Sequence, residues 1–219
     1  MRIANISPAK VLLGSLLGAA ALLSGCSKDT QKAVEQRVEE PNLMKTWENM
    51  KCGSIKVLDA SGRNFYEFSG SKFKEAYFSY EDEDCKKQSM EVLYQGDLTF
   101  GDKSSEGVRK VDLAYKTVSV RPFTEDAQKT LEKAEACGVK SWPVGKLQDV
   151  TQATERVGIC KLILGDINSI VDYNLTYIED GKLYLGNSGV FEKRAQKESN
   201  RPDKVDKDKP FQPSNNKLD

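Results

Sequence analysis

Short segments in which apolar and polar residues alternate constrain the fold of this chain more than any other feature. Met90, Val92 and Tyr94 share one face of such a segment, and a second alternating run covers residues 171–177. A period of two is the pattern of a β-strand with one buried face. The second run leads to Asp180-Gly181, a dipeptide that is typical of a tight β-hairpin. The sequence therefore predicts a mainly β domain built from antiparallel strands.

One segment follows a helical pattern instead. Thr124 is a suitable N-cap, and Glu125 and Asp126 follow it in the first turn, where acidic side chains favour a helix. Leu131 lies on a narrow apolar stripe, and Cys137-Gly138 predicts the end of the helix. Many short strands with one helix predict a β-barrel or a β-sandwich. A barrel of about eight strands has room for its own side chains or for one small ligand.

Four cysteines after residue 26 predict two disulfide bonds. Cys52, Cys85, Cys137 and Cys160 allow three pairings, and the sequence alone does not choose among them. We favour Cys52–Cys85 and Cys137–Cys160, because each pair then links residues within one half of the domain. The chain has no C-x-x-C pair and no histidine, so we expect neither a metal site nor a cofactor.

The composition excludes several classes of function. Without histidine, the chain cannot form a Ser-His-Asp triad, a Cys-His pair or an imidazole zinc site. The 33 acidic residues show no diagnostic spacing, and the sequence contains no glycine-rich phosphate loop. Carboxylate chemistry stays open as an alternative, but we expect that the protein is not an enzyme. The 33 basic residues balance the acidic ones, so no basic excess indicates nucleic acid as a partner.

The first twenty-six residues have the layout of an exported precursor. Arg2 and Lys10 precede an apolar run that covers residues 11–23. This run is shorter than the roughly 20 residues of a membrane-spanning helix. We therefore prefer a signal peptide to a membrane span. The following Leu23-Ser24-Gly25-Cys26 resembles the lipobox of bacterial lipoprotein precursors. The resemblance implies cleavage before Cys26 and its lipid modification, with acyl chains such as palmitate. Ser27, in place of the Asp of inner-membrane lipoproteins, implies the outer membrane, facing the periplasm or the surface.

These patterns divide the chain into four parts. Residues 1–25 are the predicted signal peptide, and residues 26–43 combine the lipidated cysteine with a polar tether. Residues 44–191 are the predicted barrel domain. The last segment, 192–219, is dense in Lys, Asp, Asn and Pro, and we expect it to be disordered because it contains few apolar residues.

The order of several short motifs resembles a known family. Trp47 and Cys52 are separated by four residues, and Tyr66-Glu67-Phe68, the segment 77–85 and Gln95-Gly96-Asp97 follow. This order resembles the repeat domain of the "adenomatosis polyposis coli down-regulated" family, over about residues 47–160. The resemblance implies a lipocalin-like, disulfide-linked β-barrel with affinity for lipid.

Two functions follow as expectations. In the first, the protein is an envelope lipoprotein whose barrel binds an acyl chain or another apolar molecule, inside the barrel or at its mouth. The candidate lining residues of that site are Phe68, Phe78, Tyr80 and Tyr94. In the alternative, large side chains fill the barrel, and the lipoprotein has a structural role or binds an envelope protein partner.

Overall fold

A computed structural model of the chain describes residues 40–55, 60–153, 158, 160–161, 170–187 and 194–218. The predicted signal peptide and Cys26 lie outside the described residues. Within the described part of the chain, no helix combines the length and the apolar character needed to cross a membrane.

The described residues form ten strands, one α-helix and two short 3₁₀ turns. The strands are β1 (Thr46–Asn49), β2 (Gly53–Ile55), β3 (Ala60–Ser69), β4 (Lys72–Tyr80), β5 (Gln88–Lys103), β6 (Arg109–Pro122), β7 (Gln148–Asp149), β8 (Val171–Glu179), β9 (Lys182–Leu185) and β10 (Phe211–Ser214). The helix, α1, spans Glu125–Lys133, and the 3₁₀ turns span Ala136–Gly138 and Glu198–Asn200.

Eight of these strands close into an antiparallel barrel. Their order around the barrel is β1-β10-β9-β8-β6-β5-β4-β3, and β3 pairs back with β1. The two remaining strands are short and lie outside this ring, where β2 pairs with β3 and β7 pairs with β6. The predicted antiparallel β-barrel with one helix and two disulfides is therefore confirmed.

The hairpin between β8 and β9 has the turn that its sequence predicts. Glu179 pairs with Lys182, and the two residues between them have positive φ angles, 51° at Asp180 and 72° at Gly181. A two-residue turn of type I′ requires positive φ at both positions, which Asp-Gly adopts at low cost.

A glycine lets the longest strands of the barrel approach each other closely. The register of β5 and β6 shifts between Gln95 and Gly96. A Cβ atom at position 96 would lie 2.1 Å from the carbonyl oxygen of Ala114 and 2.7 Å from Cε1 of Phe73. The missing side chain therefore leaves room for the Phe73 ring, which packs edge-on against Tyr115 at 5.1 Å between centroids.

Helix α1 begins as predicted but ends earlier. The Thr124 hydroxyl accepts a hydrogen bond from the backbone N–H of Ala127 at 3.2 Å, and buried Leu131 packs against the barrel core. The prediction that the helix continues to Cys137-Gly138 is wrong, because Lys133 is its last residue. Glu135 has a left-handed φ of 44°, which stops the helical hydrogen-bond ladder.

Both favoured disulfides are present. Cys52 and Cys85 are bonded with their Cα atoms 5.8 Å apart, and Cys137 and Cys160 are bonded with a Cα separation of 5.0 Å. Both separations lie in the ordinary range for disulfides. One bond links the segment before β2 to the turn after β4, and the other fixes the turn after α1.

The C-terminal segment is part of the barrel, which corrects the prediction of a disordered tail from residue 192. Strand β10 pairs with β1 on one side and with β9 on the other. Phe211 is 1% exposed in the core, and Leu218 is 3% exposed on the outer wall. Local composition missed this strand because its stability comes from two distant partner strands and not from its own polar sequence.

The N-terminal boundary of the domain also lies earlier than predicted. Leu43 is buried, and its carbonyl oxygen accepts a hydrogen bond from the Trp47 indole N–H at 3.0 Å. Glu40 forms an ion pair with Arg109 at 2.9 Å between oxygen and Nε. Residues 40–43 therefore belong to the folded domain and not to the tether predicted over residues 26–43.

Candidate functional site

Aromatic side chains pack against one another in the barrel interior. Tyr66 stacks on Phe68 with 6.0 Å between ring centroids, while Tyr115 packs edge-on against Phe73 and Tyr94 at 5.1 and 5.9 Å. Each of these five rings is at most 4% exposed. The contacts are within the range that favours aromatic pairs. The protein therefore places five of its own aromatic rings, in contact with one another, in the buried core of the barrel.

An acidic side chain lies among these rings. Glu75 is 1% exposed, and its carboxylate accepts hydrogen bonds from the hydroxyl groups of Tyr66 at 2.8 Å and Tyr115 at 2.6 Å. The Nη2 group of Arg194 lies 3.3 Å from Oε2 of Glu75 and forms an ion pair with it. The buried carboxylate thus has two neutral donors and one cationic partner, as a buried charge requires.

The Arg194 guanidinium also contacts two aromatic faces. Its central carbon lies 4.4 Å from the ring centroid of Tyr115 and 5.1 Å from that of Tyr94. Both distances are within the range of a cation–π interaction. We call Tyr66, Glu75, Tyr94, Tyr115 and Arg194 the Glu75 cluster.

Strand register brings the cluster together. Glu75 on β4 lies directly opposite Tyr66 on β3 and directly opposite Tyr94 on β5, so that the three side chains form a row across the wall. On β6, Tyr115 pairs with Gly96 and not with Tyr94, and its ring reaches the row diagonally to pack against Tyr94 at 5.9 Å. Arg194 approaches from the region of β8 and completes the cluster.

Backbone hydrogen bonds fix the position of Arg194. The N–H of the next residue, Ala195, donates to Oδ1 of Asp172 at 3.0 Å, and the Ala195 carbonyl accepts from the N–H of Tyr173 at 2.9 Å. These two bonds attach the segment to the start of β8. The Arg194 side chain therefore reaches into the barrel from a backbone that is held in place.

Burial controls the protonation of the cluster. It raises the pKa of the Tyr66 hydroxyl well above its ordinary value, and the nearby Glu75 charge adds to the effect. Burial likewise raises the pKa of Tyr115. Both hydroxyls consequently remain protonated and act as donors. Burial also raises the pKa of Asp172 to about 6, against the opposing effect of a hydrogen bond from Asn174.

The four residues predicted to line a ligand site lie on opposite faces of the barrel wall. Phe68 and Tyr94 belong to the interior cluster, and Tyr94 contacts Arg194. Phe78 and Tyr80 belong to a second apolar cluster, which lies on the outer face. The structure therefore does not bring the four side chains together around one cavity.

The second cluster has its own packing. Phe78 packs edge-on against Phe65 at 5.0 Å between centroids and stacks on Phe123 at 6.1 Å. Leu218, near the C terminus, is buried in this cluster, and its backbone N–H donates to the Glu67 carboxylate at 3.2 Å. Both faces of β4 therefore carry apolar side chains. For this reason, the alternation along the strand does not indicate which face points into the barrel.

The sequence contained a partial signal for the missed cluster. In β4, Phe73, Glu75 and Tyr77 alternate with residues of the outer face, so Glu75 is a charged residue in a row of large aromatic ones. A charge at such a position predicts a buried polar network. No comparable signal marks Arg194, which lies in the segment that the sequence predicts to be disordered.

Concave regions of the surface lie away from the Glu75 cluster. One open cleft of about 800 Å³ is next to the β8–β9 hairpin and includes Tyr177, Asp206 and Lys207 in its lining. Lys207 forms an ion pair with Glu179 at 2.8 Å there. Another cleft, of about 630 Å³, borders the Cys52–Cys85 disulfide and includes Tyr80 in its lining.

Neither a metal centre nor a known relative adds to this description of the site. Among the residues that the structure describes, no group of three or more His, Cys, Asp or Glu side chains is arranged to hold a metal ion. No known family model matches the chain, and no curated protein matches it either.

Proposed function

We propose that this protein is a lipid-anchored component of the bacterial cell envelope. In this proposal its barrel is rigid and acts through its outer surface on another envelope component. The observation that carries this proposal is the Glu75 cluster. A charged pair and three tyrosines lie inside the barrel, where they make the interior less suited to an apolar ligand. The lipobox-like Cys26 supports the membrane anchor, with attachment on the outer membrane.

An acyl chain that disrupts the Glu75–Arg194 pair has to bury roughly four to six CH₂ groups before it gains any free energy. An acyl chain gains about 0.8 kcal/mol for each buried CH₂ group. Separating Glu75 from Arg194 inside the barrel leaves buried charges without partners, at a cost of about 3–5 kcal/mol. Lipid binding inside the barrel remains the second candidate, since the family resemblance and the interior positions of Phe68 and Tyr94 support it.

Lipid titration separates the two candidates. Residues 27–219, purified without detergent, are expected to show the mass of the bare chain in native mass spectrometry. Titration with fatty acids and phospholipids is expected to produce no saturable complex, because the interior rings and the charged pair already occupy the space.

A matched pair of variants sharpens this titration. Phe68→Ala enlarges the interior, whereas Phe78→Ala removes a ring of similar size from the outer cluster. A wild-type complex with one lipid, weakened or altered by Phe68→Ala and unchanged by Phe78→Ala, would establish the lipid carrier and contradict our proposal.

The membrane anchor has its own test. Cys26→Ala removes the thiol that would be lipidated, so the variant is expected to remain unprocessed or to move from the membrane fraction to the soluble fraction. Cell fractionation followed by mass determination of the N-terminal peptide measures both outcomes. A processed Cys26→Ala chain that stays in the membrane fraction to the same extent as the wild type would contradict lipid anchoring.

A further inference from the structure

One loop at the end of the barrel presents apolar side chains to solvent. It covers residues 140–147, between the 3₁₀ turn after α1 and the start of β7, and we call it the 140–147 loop. Val144 is 42% exposed and Leu147 is 38% exposed. Single exposed apolar side chains are ordinary on a protein surface, whereas neighbouring ones indicate a contact with another component.

The backbone holds these side chains outward. Trp142 is fully buried, and its backbone N–H donates a hydrogen bond to the Glu132 carboxylate at 3.0 Å. On the other side of the turn, the Gly145 N–H donates to the carbonyl oxygen of Pro122 at 2.8 Å. A conformation that turned the apolar side chains inward would break these contacts. Binding through the loop therefore requires little further ordering of its backbone.

The charge of the loop is positive. Lys140 and Lys146 are exposed, and neither forms an ion pair with another residue in the described part of the chain. No Asp or Glu occurs between positions 136 and 148. Residues 27–219 as a whole carry 31 basic and 33 acidic side chains, because Arg2 and Lys10 precede them. The loop is therefore a local positive site on a slightly acidic chain.

Its size and charge favour a lipid bilayer over a protein as the binding partner. A stable protein interface covers roughly 800 Å² on each partner, whereas the apolar side chains of this loop are confined to one tight turn. Aliphatic side chains can insert between lipid headgroups. Adjacent lysines can bind lipid phosphates while their methylene stems stay in apolar surroundings. An anionic membrane surface therefore matches both properties of the loop.

The loop also lies within reach of a membrane that anchors the chain. Strand β6 begins at Arg109, which binds Glu40, and ends at Pro122, which holds the loop. The 14 residues of β6 span roughly 45 Å, and the tilt of a barrel strand reduces this height to roughly 35 Å. The chain from Cys26 to Glu40 can extend over at most about 50 Å. A chain anchored at Cys26 can therefore place the loop on the same bilayer.

We propose that the 140–147 loop is a second membrane contact, which docks on anionic lipid headgroups through its two aliphatic side chains and its two lysines. The contact holds the barrel against the bilayer from the end opposite to the tether. It involves many headgroups at the surface and leaves the barrel interior filled. The inference rests on the membrane location in the proposed function, but it does not require the lipid at Cys26, so an unanchored chain tests it separately.

Vesicle binding of the unanchored chain tests the proposal. Residues 27–219 include every residue that the structure describes. At low salt, we expect this chain to co-sediment with phosphatidylglycerol vesicles and much less with phosphatidylcholine vesicles, although its net charge is negative. Raising the salt concentration to about 0.5 M is expected to weaken the binding, because salt screens exposed charges.

Two double variants separate the charge from the apolar contact. Lys140→Gln with Lys146→Gln removes both positive charges. Val144→Ser with Leu147→Ser removes both aliphatic side chains and keeps the charge. Each double variant is expected to bind phosphatidylglycerol vesicles about 10-fold more weakly than the wild type. All four side chains are exposed, so the midpoint of thermal unfolding is expected to stay unchanged.

A matched control tests whether the position of the lysines matters. Lys204→Gln with Lys217→Gln removes two exposed lysines outside the loop and changes the net charge by the same amount. This variant is expected to bind phosphatidylglycerol vesicles as the wild type does.

Three results would overturn the proposal. The first is a wild-type chain that does not bind phosphatidylglycerol vesicles at low salt with lipid concentrations up to about 10 mM, which would leave the loop to a protein partner. The second is undiminished binding in either loop variant. The third is an equal loss of binding in the variant that lacks Lys204 and Lys217.

Discussion

A chain that ends at Asp208 is expected to lose its cooperative unfolding transition. The deletion removes β10, whose backbone pairs with β1 and β9, and opens the barrel between them. It also removes the ring of Phe211, which packs edge-on against Tyr66 at 5.4 Å. Loss of a buried phenylalanine side chain alone costs about 3–5 kcal/mol, a large share of the roughly 5–15 kcal/mol that stabilises a typical domain.

Urea unfolding followed by tryptophan fluorescence and circular dichroism measures this effect. The matched control is a chain that ends at Asn216, which keeps β10 and loses the contacts of Leu218 on the outer wall. The control is expected to unfold cooperatively at a moderately lower urea concentration. A chain ending at Asp208 with the same midpoint and slope as the full chain would show that the barrel closes without β10.

Glu75→Gln is expected to lower the free energy of unfolding by about 3–5 kcal/mol, because it leaves the Arg194 guanidinium buried without its counter-ion. Tyr66 and Tyr115 donate to different oxygens of Glu75, so in the glutamine one hydroxyl keeps a carbonyl acceptor and the other faces the NH₂ group. The loss therefore combines the broken ion pair with one changed hydrogen bond. Asp97→Asn provides a control, since the Lys72–Asp97 pair is exposed, and it is expected to change stability by about 0.5 kcal/mol or less.

A double-mutant cycle separates the pair from its surroundings. Glu75→Gln and Arg194→Gln are each expected to be strongly destabilising, whereas the double variant is expected to lose less than the sum of the two. The reason is that two neutral amides leave no buried charge without a partner. Additive losses in urea unfolding would indicate that Glu75 and Arg194 contribute independently.

The sequence by itself determined the local elements of this protein. Alternation predicted the strands, Asp180-Gly181 predicted the turn between β8 and β9, and Thr124 predicted the start of α1. These features depend on neighbours within a few residues, so they can be derived from local patterns. The count of four cysteines after residue 26 likewise predicted two disulfides.

Only the tertiary structure decided which face of the wall lies inside. In β4, Phe73 and Tyr77 lie on one face and Phe78 and Tyr80 on the other, and both faces are apolar. A period of two shows which residues share a face but not which face is interior. The predicted lining residues therefore included two from each side.

The tertiary structure also decided the place of β10 and of Arg194. Both lie in a segment whose composition predicts disorder, yet β10 pairs with two strands that are distant in sequence, and Arg194 meets Glu75 across 119 residues. A polar segment becomes ordered when distant groups provide its backbone partners and its counter-ion. Such partners are not visible in the local sequence, because closure of the barrel creates them.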